Sequence, residues 1–220
     1  MDSIRLNAMA KINLGLDVTG KRPDGYHELR MVMQMINLYD KIEIIKLETP
    51  EIIVETNLSF LPVNENNIVY KAAQLLMNKF QLTQGVRIVL EKHIPVAAGM
   101  AGGSSDAATV LYGMNKLFSL GMTKKQMMEE GVKLGADVPY CVLRTTALSE
   151  GIGEILTTLP PMPKCHIVIA KPGISVPTKA VFGKLRVNEI EKHPDIDGIV
   201  EAIKAGSLTD IASRLGNTLE

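Results

Sequence analysis

Cysteine and aromatic residues are scarce in this sequence, and tryptophan is absent. The 220 residues include 2 cysteines, Cys141 and Cys165, which are too few for a disulfide framework, and neither has the CxxC partner of a zinc site. This usage is typical of a reducing compartment and predicts a cytoplasmic protein. With 5 Tyr and 4 Phe, few rings are available to stack on a planar ligand.

Net charge and long apolar runs are also missing. Lysine plus arginine and aspartate plus glutamate number 24 each, so no overall field draws the protein to nucleic acid or anionic lipid. An RNA-binding module is disfavoured because no basic stripe is present. Charged residues interrupt every apolar stretch before the roughly 18 residues of a membrane span, and the N-terminus lacks a signal-peptide pattern. We therefore expect neither a nucleic-acid nor a membrane partner.

The apolar periodicity alternates between strand and helix along the chain, and the hydrophobic fraction of 46% indicates a globular fold. A β-rich start followed by mixed elements predicts the α+β class. The proline-rich run at 160–163 is the best boundary and predicts domains at 1–160 and 161–220. Strands are expected near 11–18, 41–47, 51–55, 86–91, 142–148, 154–158 and 166–170, and helices near 66–80, 105–118, 123–134, 177–186, 195–205 and 207–215.

The segment after residue 160 contains one clear strand pattern, at 166–170, together with three helical patterns. A lone strand leaves both of its edges unpaired, so these elements do not make a self-contained sheet. We therefore expect this second domain to be incomplete.

A glycine-rich segment lies between a predicted strand and a predicted helix. Its small residues let the backbone approach a ligand closely and adopt positive φ. The N–H groups at the start of the following helix make an anion cradle, which favours a phosphate-binding loop over a plain serine-capped turn. Ser104 and Ser105 either cap the helix or donate to phosphate oxygens. The segment reads Pro95-Val96-Ala97-Ala98-Gly99-Met100-Ala101-Gly102-Gly103-Ser104-Ser105, followed by Asp106.

Three co-linear motifs carry a family resemblance over the whole chain. The segment 99–106 resembles the second motif of the galactokinase, homoserine kinase, mevalonate kinase and phosphomevalonate kinase (GHMP) superfamily. Segments 10–14 and 21–28, with Gly135-Ala-Asp-Val-Pro-Tyr140 and Gly151-Ile-Gly-Glu154, are similar to the 4-diphosphocytidyl-2-C-methyl-D-erythritol kinase family. The resemblance implies two domains. It makes 1–160 a ribosomal S5 domain 2-like, ATP-binding N-terminal domain and 161–220 part of a ferredoxin-like C-terminal domain.

The same resemblance implies a phosphotransferase of the non-mevalonate isoprenoid pathway, with ATP and Mg²⁺ as cofactors. ATP would lie along residues 95–105, with Ser105 as a Mg²⁺ ligand. Asp137 would be the base for the substrate 2-hydroxyl, and Lys11 would pair with it and with the transferring phosphoryl group. From the residues alone, spacing favours Asp137 as a helix-flanking acidic cap over a base, and the alternative for Lys11 is a solvated lysine of an edge strand.

Substrate recognition is implied for Asn13, Tyr26, His27, Thr178 and Phe182. The family places the cytosine between the residues that match Tyr26 and Phe182, while the match of His27 reads its hydrogen-bonding edge. Periodicity alone makes Phe182 an ordinary helix-core residue, and Tyr26 and His27 equally fit a capped turn.

Two departures from the family pattern affect these expectations. Arg144 and Thr145 stand where the family usually has two glycines, and a positive φ there would strain them. The family's third glycine-rich motif does not occur in the 220 residues, which leaves a nucleotide-binding protein without turnover as one alternative. Another small-molecule kinase of the superfamily is a second alternative. We expect a monomer or weak homodimer.

Overall fold

Two long strands, β1 (Ser3–Lys21) and β2 (His27–Leu47), begin the chain. The computed structural model describes residues 1–173 and 178–219. These divide into two units, and both strands contribute residues to each. The first unit contains Met1–Ala10, Ile36–Val96 and Met100–Leu143, and the second contains Lys11–Met35, Ala97–Gly99 and the described residues from Arg144 onward.

The first unit packs helices against the later part of β2. Residues 41–47 of β2 pair antiparallel with β4 (Gly85–Glu91), and β4 pairs in parallel with β3 (Ile52–Thr56). Pairing brings the buried Ile44 opposite the buried Ile88, as the alternating apolar pattern of each strand requires. The helices are α1 (Ile68–Phe80), α2 (Gly102–Leu117), α3 (Lys124–Val132) and α4 (Val138–Leu143), and α2 contacts the other three.

Helix α2 is buried along most of its length because its side chains are small. Ala107 and Ala108 are almost fully buried. A Cβ atom on Gly113 would lie 2.5 Å from Cδ1 of Ile44, which is closer than two carbon atoms can approach. Small residues therefore let the middle and later part of α2 pack close against β2.

In the second unit, β5 (Ala147–Gly151) pairs antiparallel with residues 29–33 of β2 and with β6 (Ile155–Thr158), and β7 (Gly216–Asn217) pairs in parallel with β1. Its helices are α5 (Thr178–Lys184), α6 (Ile196–Lys204) and α7 (Leu208–Ser213), with a 3-10 turn at Val187–Glu189. The apolar face of α6 forms the centre of its core. That core contains Leu14, Val32, Leu159, Ile196, Ile199, Val200, Ala202, Ile203 and Ile211.

Most of the elements expected from periodicity are present, and the α+β class is confirmed. The side chain of Asn67 caps α1 by accepting from the Val69 N–H at 3.0 Å, as expected for one of the two asparagines there. Among the described helices, none is both long and apolar enough to cross a membrane. The domain boundary at residues 160 and 161 stays a prediction.

Two of the predicted strands are wrong, at least in part. The strand expected at 142–148 begins at Ala147, because Val142 and Leu143 close helix α4 instead. The segment 166–170 is not a strand, and Val168 in its middle is 95% exposed. Its β-branched residues are typical of a strand. Within the described chain, however, no neighbouring strand pairs with its backbone, and a β-strand is stable only in a sheet.

Candidate active site

The glycine-rich segment forms an exposed turn with three left-handed residues. Ala97, Gly99 and Ala101 have φ of 55°, 69° and 54°, whereas Gly102 and Gly103 are helical. Residues in the left-handed region that alternate with ordinary ones turn successive backbone N–H groups toward one side, which suits an anion. The sequence correctly predicted positive φ here, but two of the three residues that adopt it are alanines.

Helix α2 starts without a side-chain cap. Its N-cap is Ala101, so the N–H groups of Gly102, Gly103 and Ser104 have neither an intrahelical partner nor a side-chain cap. The capping role considered for Ser104 and Ser105 is wrong, because both lie inside the first turn. These N–H groups and the positive end of the helix dipole are therefore directed at whatever binds the turn.

Ser105 has a structural contact of its own. Its side chain is 2% exposed, and its hydroxyl donates to the carbonyl oxygen of Met9 at 2.7 Å. This bond fastens the first turn of α2 to β1 within the first unit. Groups of three or more His, Cys, Asp or Glu side chains that could hold a metal ion are absent from the described residues.

A buried charged cluster lies next to the turn, and the sequence reasoning missed it. Lys92 donates to Oδ2 of Asp106 at 2.7 Å and also pairs with Asp40. All three side chains are at most 5% exposed. In the sequence, Asp106 stands among small residues of a predicted helix, which is the pattern of a buried helix. A carboxylate in such a helix needs a cation, and this requirement could have indicated the cluster. Burial raises the pKa of Asp106 to about 8 although Lys92 opposes that shift.

Lys11 lies on β1 in the second unit and is 5% exposed. Its ammonium donates to Oδ1 of Asn13 at 3.2 Å, so the two side chains share one face of the strand, as the period-two pattern predicts. The alternative of a solvated lysine is wrong, since a side chain this deeply buried is not in water. A buried ammonium is retained where it has polar partners.

Asp137 lies in the first unit, half-buried, directly before helix α4. Its carbonyl accepts the N–H of Cys141 at 3.1 Å, and Gly135 accepts the N–H of Val138 at 3.1 Å. The tight turn between α3 and α4 thus fixes the backbone of Asp137. Helix α4 was not predicted from the sequence, where its short length and its proline concealed it.

Tyr26 and His27 follow a tight turn in the second unit. Gly25 has φ of 88°, and Asp24 accepts the N–H of Tyr26 at 3.1 Å, as Asp-Gly favours. Tyr26 is 58% exposed. The imidazole of His27 contacts the ring of Phe182, with centroids 5.3 Å apart and an interplanar angle of 33°.

His27 and Phe182 are thus brought together, as expected for two parts of one subsite. Nε2 of His27 is buried and has no hydrogen-bond partner among the described residues. A buried polar atom without a partner costs stability, which is tolerated where a ligand completes the bond. Thr178 begins α5, but its side chain lies outside the described part of the structure.

Comparison with known proteins identifies the family to which the chain belongs. The sequence model of the "GHMP kinases N terminal domain" matches residues 67–145. A "4-diphosphocytidyl-2-C-methyl-D-erythritol kinase" of Lachnospira eligens is 59% identical over 220 residues, covering 100% of this chain and 76% of that protein. The protein of the same name from Lachnoclostridium phytofermentans is also 59% identical, with the same coverage. The chain belongs to the 4-diphosphocytidyl-2-C-methyl-D-erythritol kinase family.

A solved structure agrees with this membership. The crystal structure of a 4-(cytidine 5'-diphospho)-2C-methyl-D-erythritol kinase matches with a TM-score of 0.77 and 31% identity, covering 99% of this chain and 76% of that one. The resemblance drawn from the three motifs and the GHMP kinase fold are therefore confirmed, and the chain is a kinase. It spans about three quarters of the length of these kinases, 76% in each comparison.

One departure from the family pattern has a visible structural effect. Arg144 has φ of 56°, directly after the last residue of α4. That position commonly takes glycine, because a left-handed residue ends a helix and a side chain is strained there. Thr145 has no positive φ. The strain expected at both residues is therefore confirmed at Arg144 and absent at Thr145.

Proposed function

We propose that this kinase transfers the γ-phosphoryl group of ATP to the 2-hydroxyl of 4-diphosphocytidyl-2-C-methyl-D-erythritol in the non-mevalonate isoprenoid pathway. The observation that carries the proposal is the 59% identity, over all 220 residues, to a protein that bears this activity in its name. The arrangement of the candidate residues within each unit supports it on both the nucleotide and the substrate side.

The nucleotide is assigned to residues 95–105. The support is the uncapped start of α2 and the three left-handed residues before it, which leave backbone N–H groups available to phosphate oxygens. Backbone donors also fit a chain with net charge 0, because they bind an anion without a surplus of lysine or arginine. Phosphoryl transfer needs such positioning more than it needs covalent chemistry.

Magnesium would arrive with the nucleotide and be held mainly by its phosphates and by water. When bound, it neutralises charge that develops on the phosphates. Ser105 is the protein ligand we propose. Its hydroxyl donates a hydrogen bond to the Met9 carbonyl, so its oxygen lone pairs are not used in that bond.

The chemical step is assigned to Asp137 and Lys11. The carboxylate of Asp137 takes the proton of the substrate 2-hydroxyl while that oxygen forms a bond to the γ-phosphorus. The bond from this phosphorus to the bridging oxygen of ADP breaks, and ADP leaves. Lys11 would stabilise negative charge on the phosphoryl group, and its burial supports a role that a solvated lysine does not have.

The cytidine end of the substrate is assigned to the second unit. Tyr26 presents an exposed ring, and His27 and Phe182 lie in contact with each other. The buried Nε2 atom of His27 lacks a partner among the described residues, which supports a hydrogen bond to the edge of the base. Asn13 and Thr178 complete the proposed set.

A coupled assay of ADP release tests the function. We expect turnover with 4-diphosphocytidyl-2-C-methyl-D-erythritol, and inhibition by CDP that competes with this substrate and not with ATP. Mevalonate and homoserine serve as controls for the other superfamily kinases. ADP release with either of them, or failure of CDP to compete, would overturn the substrate assignment.

Calorimetric binding of a non-hydrolysable ATP analogue separates binding from catalysis. If the analogue binds but the cytidine substrate releases no ADP, the chain binds nucleotide without turnover. Size-exclusion chromatography with light scattering tests the expected monomer or weak homodimer. A cytoplasmic location remains our prediction.

A further inference from the structure

Three buried ionic side chains form a cluster beneath the glycine-rich segment. Lys92 lies between Asp40, at the middle of β2, and Asp106, in the first turns of α2. The exposed fractions of the three side chains are 5%, 0% and 2%. All three residues belong to the first unit.

The cluster joins the two ends of the proposed nucleotide loop. Before the loop, Oδ1 of Asp40 accepts the backbone N–H groups of His93 at 2.5 Å and Ile94 at 2.8 Å, and Lys92 pairs with the same carboxylate. After the loop, Asp106 follows Ser105 directly and accepts from Lys92 at 2.7 Å. The ammonium of Lys92 thus connects the residues that enter the loop with the helix that leaves it.

Stability alone is a weak reason for such a cluster. Moving charges out of water costs more than a buried pair usually returns, and apolar residues of similar volume often stabilise a core better. Here one carboxylate oxygen, Oδ1 of Asp106, is buried with no hydrogen-bond partner among the described residues, which adds a further cost. The ionic cluster provides a fixed, directional link between Lys92 and Asp106, which an apolar cluster would not provide.

We propose that Lys92 is a positioning residue for the nucleotide, acting through its bonds to Asp40 and Asp106, which fix the spacing between the two ends of the loop 95–105. The proposal rests on the assignment of ATP to this loop. It differs from the roles given to Lys11 and Asp137, because Lys92 does not touch the reacting atoms. Backbone N–H groups bind phosphate well only when their spacing is fixed, and a displacement of about 1 Å can cost two orders of magnitude.

Asp106→Ala is the main test variant, because it breaks the link to α2 while Lys92 keeps its bond to Asp40. We expect the dissociation constant for a non-hydrolysable ATP analogue with Mg²⁺ to rise about tenfold. The dissociation constant for CDP should stay within about twofold, since the cytidine subsite is elsewhere in the chain. Asp106→Asn should restore nucleotide binding to within about threefold of the parent, because the amide oxygen still accepts from Lys92.

Lys92→Met breaks both links and should weaken nucleotide binding more than Asp106→Ala does. It also leaves the buried carboxyl groups of Asp40 and Asp106 without their ammonium partner and is expected to lower the melting temperature. If Lys92→Met does not fold, the two Asp106 variants alone test the positioning role of Lys92. Lys125→Met and Glu129→Ala, both at exposed positions of α3, are matched controls that should bind the analogue like the parent.

The outcomes separate this proposal from the proposed function. If folded Asp106→Ala binds the ATP analogue as tightly as the parent, or weakens CDP binding equally, the positioning role is wrong. If the parent binds the analogue but releases no ADP with the cytidine substrate, the proposed function fails while the positioning role stands on its own binding data. A parent that does not bind the analogue overturns both.

Discussion

The imidazole of His27 packs against the ring of Phe182, with centroids 5.3 Å apart, although the two residues are 155 positions apart in the sequence. The contact joins the end of an Asp-Gly turn to helix α5 within one unit. The Nε2 atom of the same imidazole has no hydrogen-bond partner among the described residues. Within its described residues, this part of the second unit therefore combines an aromatic contact with one buried hydrogen-bonding atom that has no partner, and both features suit the proposed cytidine subsite.

The substitutions His27→Phe and Phe182→Leu test the hydrogen-bonding atom and the aromatic contact separately. His27→Phe keeps a ring against Phe182 and removes Nε2, so we expect the dissociation constant for CDP to rise about tenfold, as for one lost hydrogen bond in a dry site. The melting temperature should hold or rise, because a buried unsatisfied atom disappears. Phe182→Leu should weaken CDP by a similar factor through lost stacking.

Calorimetry with CDP and with the ATP analogue checks both variants. His166→Phe, at an exposed position, is the matched control and should bind CDP like the parent. Unchanged CDP affinity in His27→Phe would show that Nε2 does not contact the base. Equal loss of ATP-analogue affinity would point to a general disturbance of the fold.

Asp137→Asn tests the proposed base. The amide has nearly the same shape but cannot accept the hydroxyl proton, so kcat should fall by about 10² to 10⁴. The dissociation constants for CDP and for the ATP analogue should change by less than about threefold. Glu129→Gln, at an exposed position of α3, is the control. Turnover within a few-fold of the parent would remove Asp137 from the role of base.

Arg144→Gly tests the strained end of helix α4. Arg144 has φ of 56°, where a side chain costs about 1 kcal/mol or more. Glycine removes this strain, but it also gives the unfolded chain more conformational entropy, which offsets part of the gain. We expect a net gain of about 0.5–1 kcal/mol in the free energy of unfolding, or a rise of roughly 2 °C in melting temperature.

Thr145→Gly is the matched comparison, since Thr145 has no positive φ. Glycine there adds freedom to the unfolded chain without relieving strain, so this variant should lose stability. Urea denaturation of both variants measures the difference. A loss of stability in Arg144→Gly would show that contacts of the arginine side chain outweigh its backbone strain.

The pKa of Asp106 predicts a dependence of stability on pH. Its folded value of about 8 lies above the ordinary value of 3.8, chiefly because the group is buried. Between these values the folded protein holds a proton that the unfolded chain has released, so this group lowers the free energy of unfolding as pH rises from about 4 to 8. Asp106→Asn has no titratable group at this position, so its free energy of unfolding should increase relative to that of the parent between about pH 4 and 8. Above about pH 8 the difference between the two proteins should stay constant.

Urea midpoints for the parent and Asp106→Asn at pH 5, 6, 7, 8 and 9 measure this difference. Titrating groups outside the Asp40–Lys92–Asp106 cluster contribute equally to both proteins and cancel. Parallel curves would mean that Asp106 is ionised throughout and that Lys92 outweighs its burial. A gap that closes as pH rises would reverse the sign of the expected effect.

Local patterns predicted most of the elements and the positions of the motifs. Asn67 caps α1, Asp24 and Gly25 make the turn before Tyr26, and the glycine-rich segment joins β4 to α2 as expected. Each depends on neighbours within a few residues, which a sequence displays directly. Helix α4 was missed because six residues are too few for periodicity to reveal a helix.

The sequence by itself determined the family, through motifs whose residue types and spacing are local, and with the family the expected chemistry. Only the tertiary structure decided which distant groups meet. The Asp40–Lys92–Asp106 cluster, the contact of His27 with Phe182, and the absence of a strand at 166–170 all depend on partners far along the chain. Burial of charge and pairing of strands are properties of the packed chain, so no local pattern predicts them.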